Sequence, residues 1–106
     1  MERVFVYGTL RRSGSNHRHM RGAAFLGAYT TPPRYRLYDL GGYPGAIKGG
    51  IRPLDGEVYR LSRRMLIALD RFEEVPAEYV RERIRTPWGA AWIYLYRGGL
   101  RTMPPG

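Results

Sequence analysis

The sequence predicts an α+β domain: a small mixed β-barrel of about six or seven short strands with two flanking helices. Three observations predict it. Short runs rich in Val, Ile, Tyr and Phe recur along the chain, each bounded by Gly or Pro. One segment, 62–72, carries its apolar residues at helical spacing instead. At 106 residues the chain suits a single domain, 1–106, with a core that needs no covalent staples. Many short strands bury their edges most simply by closing on one another.

Residues 2–7 form the first expected strand, Val4-Phe5-Val6-Tyr7 being its apolar part. It breaks at Gly8, which can take backbone angles other residues avoid. The loop over 8–14 follows. Ser15 is placed to cap a short helix over 16–21. Ala23–Thr31 reads as a second strand with a glycine bulge at Gly27, ended by Pro32-Pro33. Tyr35–Leu40 is a third. The stretch Gly41-Gly42-Tyr43-Pro44-Gly45 reads as a loop, and it brings Tyr43 to a place where backbone can approach a ligand closely. Ala46-Ile47 and Ile51 are short strand material around Gly49-Gly50, and Leu54–Leu61 is the next strand after an Asp55-Gly56 turn or bulge.

Ser62 then stands as a helix N-cap, with Met65, Leu66, Leu69 and Phe72 on one stripe. Pro76 disfavours helical angles at Val75 and closes the segment. Tyr79–Arg85 alternates as a half-buried strand does, a turn at Pro87-Trp88-Gly89 follows, and Ala90–Tyr96 is the last strand. Residues 97–106 read as a loose basic tail.

Composition narrows the class. The apolar share of 43% and aromatic share of 13% are those of a folded protein rather than a disordered one. Without cysteine there are no disulfides and no thiolate metal sites. Zinc would fall to His17, His19 and carboxylates, so no metal and no cofactor is expected. No apolar run is long enough to cross a membrane, and no leader is evident, so the expected setting is cytoplasmic. The formal charge is +9, carried by arginines except for Lys48. That excess admits an anionic or nucleic-acid partner. The arginines are scattered, however, with no basic block longer than two, and nucleic acid is therefore not the expected partner. Oligomeric state is open.

Two places hold the candidate chemistry. A strand that stops at Gly8 and opens into polar residues presents backbone N–H groups to an anion, although an ordinary strand-to-loop turn fits the same residues. Glu73, at the end of the apolar helix stripe, is the candidate acid/base. A carboxylate among apolar groups has its pKa raised and can act as a base near neutral pH. A solvated acidic pair, Glu73-Glu74, is the plainer reading of those residues alone. Tyr79 could return its hydroxyl to Glu73 or simply join the core. Glu57 falls mid-strand, and Asp70 faces solvent or caps a turn. Ser13 and Ser15 lack the partners of a serine hydrolase.

The segments Val4–Arg11, Ser15-Asn16-His17, Leu37–Gly41, Tyr43-Pro44-Gly45, Gly56–Tyr59, Leu69–Glu73 and Tyr79-Val80-Arg81 fall in an order that resembles the gamma-glutamylcyclotransferase-like family. The similarity is greatest to its short branch containing gamma-glutamylamine cyclotransferase, and it covers about residues 3–96. The resemblance implies the family's mixed barrel and a small-molecule γ-glutamyl substrate. It implies that Tyr7, Gly8, Thr9 and Leu10 form the substrate loop and that Glu73 is the catalytic acid/base, with 5-oxoproline and an amine as products. Tyr43 and Tyr79 join these as expected substrate-binding residues. Glu74 departs from many members, in which glycine follows the catalytic Glu; if close, its charge would raise the pKa of Glu73 further. Two other readings remain. One is a non-catalytic module that uses the same barrel to bind RNA or another anion, marked by salt-dependent retention. The other is an enzyme that removes a γ-glutamyl group from a larger metabolite.

Overall fold

Ser62 and Val75-Pro76 bracket the one α-helix of the computed structural model, which describes residues 1–97. The elements run β1 (Glu2–Val6), β2 (Ala24–Thr30), β3 (Tyr35–Asp39), β4 (Pro44–Lys48), β5 (Asp55–Leu61), α1 (Arg63–Phe72), β6 (Tyr79–Thr86) and β7 (Gly89–Tyr96). Ser62 Oγ accepts from the Met65 amide at 3.1 Å, so the expected cap forms. Leu66 and Leu69 bury the helix stripe against the sheet.

Five strands make one mixed sheet in the order β2-β5-β1-β7-β6. β1 is central, antiparallel to β5 (Val4 opposite Tyr59) and parallel to β7 (Phe5 opposite Ile93). Because strand side chains alternate, β1 feeds two cores. Val4 and Val6 pack with Leu61, Leu66 and Leu69 under α1. Phe5 packs with Val58, Ile93 and Leu95 on the other face, which the β3–β4 hairpin covers through Tyr35 and Ala46.

Several expectations change. β3 and β4 form a separate two-stranded sheet, and among the described residues no strand pairing joins it to the other five. The expected barrel is therefore not closed; the hairpin covers one face by packing. The residues expected to form a second helix make only a single 3-10 turn over His17–Met20, too short to gain many internal bonds. Ser15 does not cap it. Asn16 stands at that position and makes no cap bond, its amide being engaged by Thr9. Pro44 and Gly45 belong to β4, an edge position that tolerates proline, whereas Ile51 is 90% exposed outside any strand. Asp55 and Gly56 pair within β5 against Thr30 and Tyr29 rather than turning. The bulge in β2 is present as a register shift between Phe25 and Gly27. Arg97, placed in the loose tail, donates its amide to Glu78 O at 2.8 Å; residues 98–106 lie outside the described residues.

Candidate active site

β1 delivers Tyr7 and Gly8 to the edge of a cavity of about 210 Å³. Thr9, Leu10 and Asn16 continue its wall, Tyr43 and Pro44 enter from the hairpin, and Glu73 and Tyr79 come from either side of the turn after α1. All seven residues singled out in the sequence border this one space.

Gly8 is not there for unusual backbone angles, since its φ is not positive. It is small because Pro44 lies against it: a Cβ at Gly8 would sit 3.0 Å from Pro44 Cγ. The loop behind it is pinned from outside. Thr9 O accepts the Asn16 amide at 2.9 Å, Thr9 Oγ1 accepts from Asn16 Nδ2 at 2.9 Å, and His17 Nδ1 lies 3.0 Å from Leu10 O. Glu57, half-buried on β5, holds the loop's far side by accepting the Arg12 amide and the Tyr59 hydroxyl, each at 2.9 Å. Among the described residues the amides of Gly8, Thr9 and Leu10 donate to no protein acceptor. Arg11 Nε donates to Gly8 O at 3.1 Å, so this loop carries a guanidinium as well as its free amides.

The tyrosines are structural clamps. Tyr7 Oη donates to Tyr94 O at 2.6 Å and accepts from the Ala46 amide at 3.1 Å, tying β1, β7 and β4 together. Tyr79 Oη donates to Pro44 O at 3.0 Å rather than to Glu73, and its ring joins the core, the other of the two placements the sequence left open. Burial pushes both phenols far up, and the Glu73 carboxylate adds to the rise in each. Tyr43 is 45% exposed at the rim.

Glu73 is the C-cap of α1, so the last turn of the helix fixes its direction. Burial alone pushes its carboxyl up to about 7. Glu74, whose side chain is exposed, is not among the causes of that rise. Its backbone is the informative part. Glu74 has φ 53°, its amide donates to Arg71 O at 3.1 Å, and the Val75 amide donates to Asp70 O at 2.9 Å. That is a Schellman end, whose left-handed position favours glycine. We expect Glu74→Gly to stabilise the fold by about 0.5–1 kcal/mol, the relieved left-handed strain outweighing the added chain freedom. The urea midpoint reads this directly; a lower midpoint would contradict it.

Sequence reasoning missed Asp70 and Tyr94. Asp70 Oδ1 accepts from Tyr94 Oη and from Arg81 Nε, both at 2.7 Å. The Arg81 guanidinium also lies over the Trp92 ring at 4.4 Å. Tyr94 thus holds Tyr7 with its carbonyl and the Glu73 helix with its hydroxyl. The signal available beforehand was Asp70 three residues before Glu73, but its partners lie on strands whose pairing local sequence does not reveal.

The family model "Gamma-glutamyl cyclotransferase, AIG2-like" matches residues 4–105. The chain belongs to this family. A Vibrio cholerae member is 50% identical over 94 residues, 89% of this chain and 81% of that protein. The human gamma-glutamylaminecyclotransferase is 42% identical over 94 residues, covering 80% of this chain and 61% of the human one. An AIG2-like mouse protein of known structure superposes with a TM-score of 0.83 at 28% identity, covering 100% of this chain and 86% of that one. Membership in the gamma-glutamyl cyclotransferase, AIG2-like family supports a cyclotransferase-type activity. No described helix is long and apolar enough to cross a membrane.

Proposed function

We propose that the protein converts a γ-glutamyl amide into 5-oxoproline and a free amine. The observation that carries this reading is Glu73, a carboxyl poised near 7 on a cavity that Gly8, Thr9 and Leu10, whose amides are unpaired, also border. The substrate's α-carboxylate, or the oxyanion developing on its γ-carbonyl, suits those amides. Its α-amine then faces Glu73. The ionised carboxylate takes a proton from the α-ammonium, and the freed nitrogen attacks the γ-carbonyl carbon. A new C–N bond closes the five-membered lactam. The old amide C–N bond breaks as Glu73 passes that proton to the departing nitrogen, and the ring nitrogen then gives up its second proton through the same carboxylate, so that the amine leaves as an ammonium and Glu73 returns to its ionised form. No water is consumed and the proton count balances.

Nucleophile and electrophile belong to one molecule, so the protein's main task is to fold the substrate into its ring-closing shape. The small cavity and the clamped tyrosine walls suit that task, because a rigid wall fixes geometry better than a mobile one. Glu74, being exposed, has no part in the proton transfer. The test is a screen of γ-glutamyl amines, γ-glutamyl dipeptides and glutathione for release of 5-oxoproline. Release from at least one of them, abolished in Glu73→Gln, is the expected result. Absence of 5-oxoproline from all three classes would overturn the reading.

A further inference from the structure

Two further cavities share no residue with the one that Glu73 borders. One, of about 460 Å³, lies between the β3–β4 hairpin and β6, over Ile84, Ile93 and Leu95. The other, of about 360 Å³, is bordered by Tyr29, Thr31 and Pro32 and again by β6. Arg34, Tyr35, Arg83 and Ile84 border both. The two therefore form one trough, on the sheet face away from α1, with Arg34 and Tyr35 at its junction.

Tyr35 is 6% exposed. Tyr79 and Tyr94, buried to a similar degree, each donate to a protein oxygen. No hydrogen bond acts on the Tyr35 phenol: burial raises it first, and Arg34, Glu82, Lys48 and Tyr29 are the groups that act on it after that. Among the described residues no sealed side-chain oxygen lacks a partner, so this hydroxyl opens on the trough. An open, unpartnered donor on a buried ring is a place for a ligand oxygen.

The charges around it narrow the ligand. Lys48 Nζ and Glu82 Oε1 pair at 2.8 Å and offset each other. The Arg83 guanidinium lies over the Trp92 ring at 4.4 Å, on the α1 side, so Arg83 meets the trough with its main chain. Arg85, two places further along the strand, starts from that same side. Arg34 is in no ion pair among the described residues. The junction thus offers one free guanidinium beside one free phenol. Its main chain is fixed: the Gly49 and Gly50 amides donate to Arg34 O at 3.0 and 3.2 Å, and Tyr35 exchanges both main-chain bonds with Arg52, at 3.1 and 2.9 Å. These donors are held in place before a ligand arrives.

We propose that this trough is a second binding site, for a small phosphate monoester with an aromatic or apolar body. The guanidinium fork takes two oxygens of the phosphate, and the Tyr35 hydroxyl takes the third. A carboxylate has only two oxygens to offer the same donors. The body of the ligand lies over Ile84, Ile93 and Leu95. The proposal is independent of the reaction at Glu73.

Calorimetry at low salt with phenyl phosphate, inorganic phosphate and benzoate tests it. Phenyl phosphate binds most tightly, with a Kd of about 1 mM or below, the range for so few atoms. Tyr35→Phe and Arg34→Gln each weaken it roughly 5- to 20-fold, the worth of a hydrogen bond to a charged group at a half-open site. Arg64→Gln, an exposed helix arginine remote from the trough, leaves it unchanged. The urea midpoint of Tyr35→Phe does not fall without ligand, because the hydroxyl it lacks holds nothing in the protein, whereas that of Tyr94→Phe falls. Phenyl phosphate bound equally well by Tyr35→Phe and Arg34→Gln lies elsewhere, as on the Gly8–Leu10 amides, and overturns the proposal. So does equal loss in Arg64→Gln, which marks diffuse charge. Benzoate as tight as phenyl phosphate overturns the choice of phosphate. Inorganic phosphate as tight as phenyl phosphate overturns the role of the apolar floor. No binding at tenfold higher concentration overturns the site, and a midpoint that falls in Tyr35→Phe as far as in Tyr94→Phe shows the hydroxyl to be partnered and overturns it too.

Discussion

Glu73→Gln lowers turnover roughly 100- to 10,000-fold, the range for losing a general acid/base, while substrate still binds. Glutamine keeps the shape and size of the side chain at the end of α1, so the cavity is preserved. Glu74→Gln is the control and costs far less, since Glu74 is exposed and does not tune its neighbour. The pH profile has a stated direction. A base must be ionised, so turnover rises through about 7, where burial has placed the Glu73 carboxyl.

Stability runs the other way. The folded protein holds the Glu73 proton more tightly than the unfolded chain, whose carboxyl titrates at an ordinary 4.5. Above that value the folded state binds more protons, so stability contributed by this group falls as pH rises from about 4.5 through about 7. Glu73→Gln lacks that decline. The variant should therefore gain in urea midpoint over the native protein at pH 8 and gain little at pH 4. Full activity in Glu73→Gln on a substrate the native protein cyclises would remove Glu73 from the mechanism. An unchanged midpoint difference between pH 4 and pH 8 would show that its carboxyl is not desolvated.

Phe5→Ala carries the largest expected stability loss, about 3–5 kcal/mol. Phe5 is fully buried in the central strand, meets the Tyr29 ring edge-on with centroids 5.9 Å apart, and lies against Gly56, where a Cβ would fall 2.5 Å from its ring. Removing it leaves a hole bounded by backbone on the β5 side, which cannot collapse without shifting a paired strand. Domains of this kind are stable by about 5–15 kcal/mol, so the variant approaches the unfolding threshold. Denaturant unfolding followed by tryptophan fluorescence gives the number. A loss below 1 kcal/mol would mean that β1 is not the organising strand.

Local chemistry made the helix, its Ser62 cap and most strand positions readable. Each depends on residues within a few places of one another: the Ser62-to-Met65 bond, the Leu66–Leu69 stripe, the alternation over Tyr79–Thr86. Glu73 stood out as an acid at the end of an apolar stripe, but those residues alone read more plainly as a solvated acidic pair, and it was the resemblance to the family that singled it out. What could not be read depends on strand pairing. The partners of Tyr7 and Tyr79 are backbone carbonyls on β7 and β4, and a hydroxyl's partner does not show in its neighbours. The crowding that requires glycine at position 8 comes from Pro44, on another strand. Glu74's left-handed backbone was hidden because a non-glycine stands where glycine is favoured.

The placement of β1 between β5 and β7 also sets the order in which the molecule can be made. Tyr7 finds its acceptor on Tyr94, 87 positions along the chain, and Trp92 finds Glu2 across 90. The loop after β1 is among the first segments synthesised and among the last to be held. Until β7 is available, β1 lacks one of its two neighbours, and the wall that Tyr7 braces has no carbonyl to rest on. Contacts so distant in sequence delay the transition state, and folding on the millisecond-to-second scale follows, slower than for helical chains of similar length. A ribosome-bound chain that stops short of residue 92 should therefore expose β1 to protease while α1 and its cap are already formed.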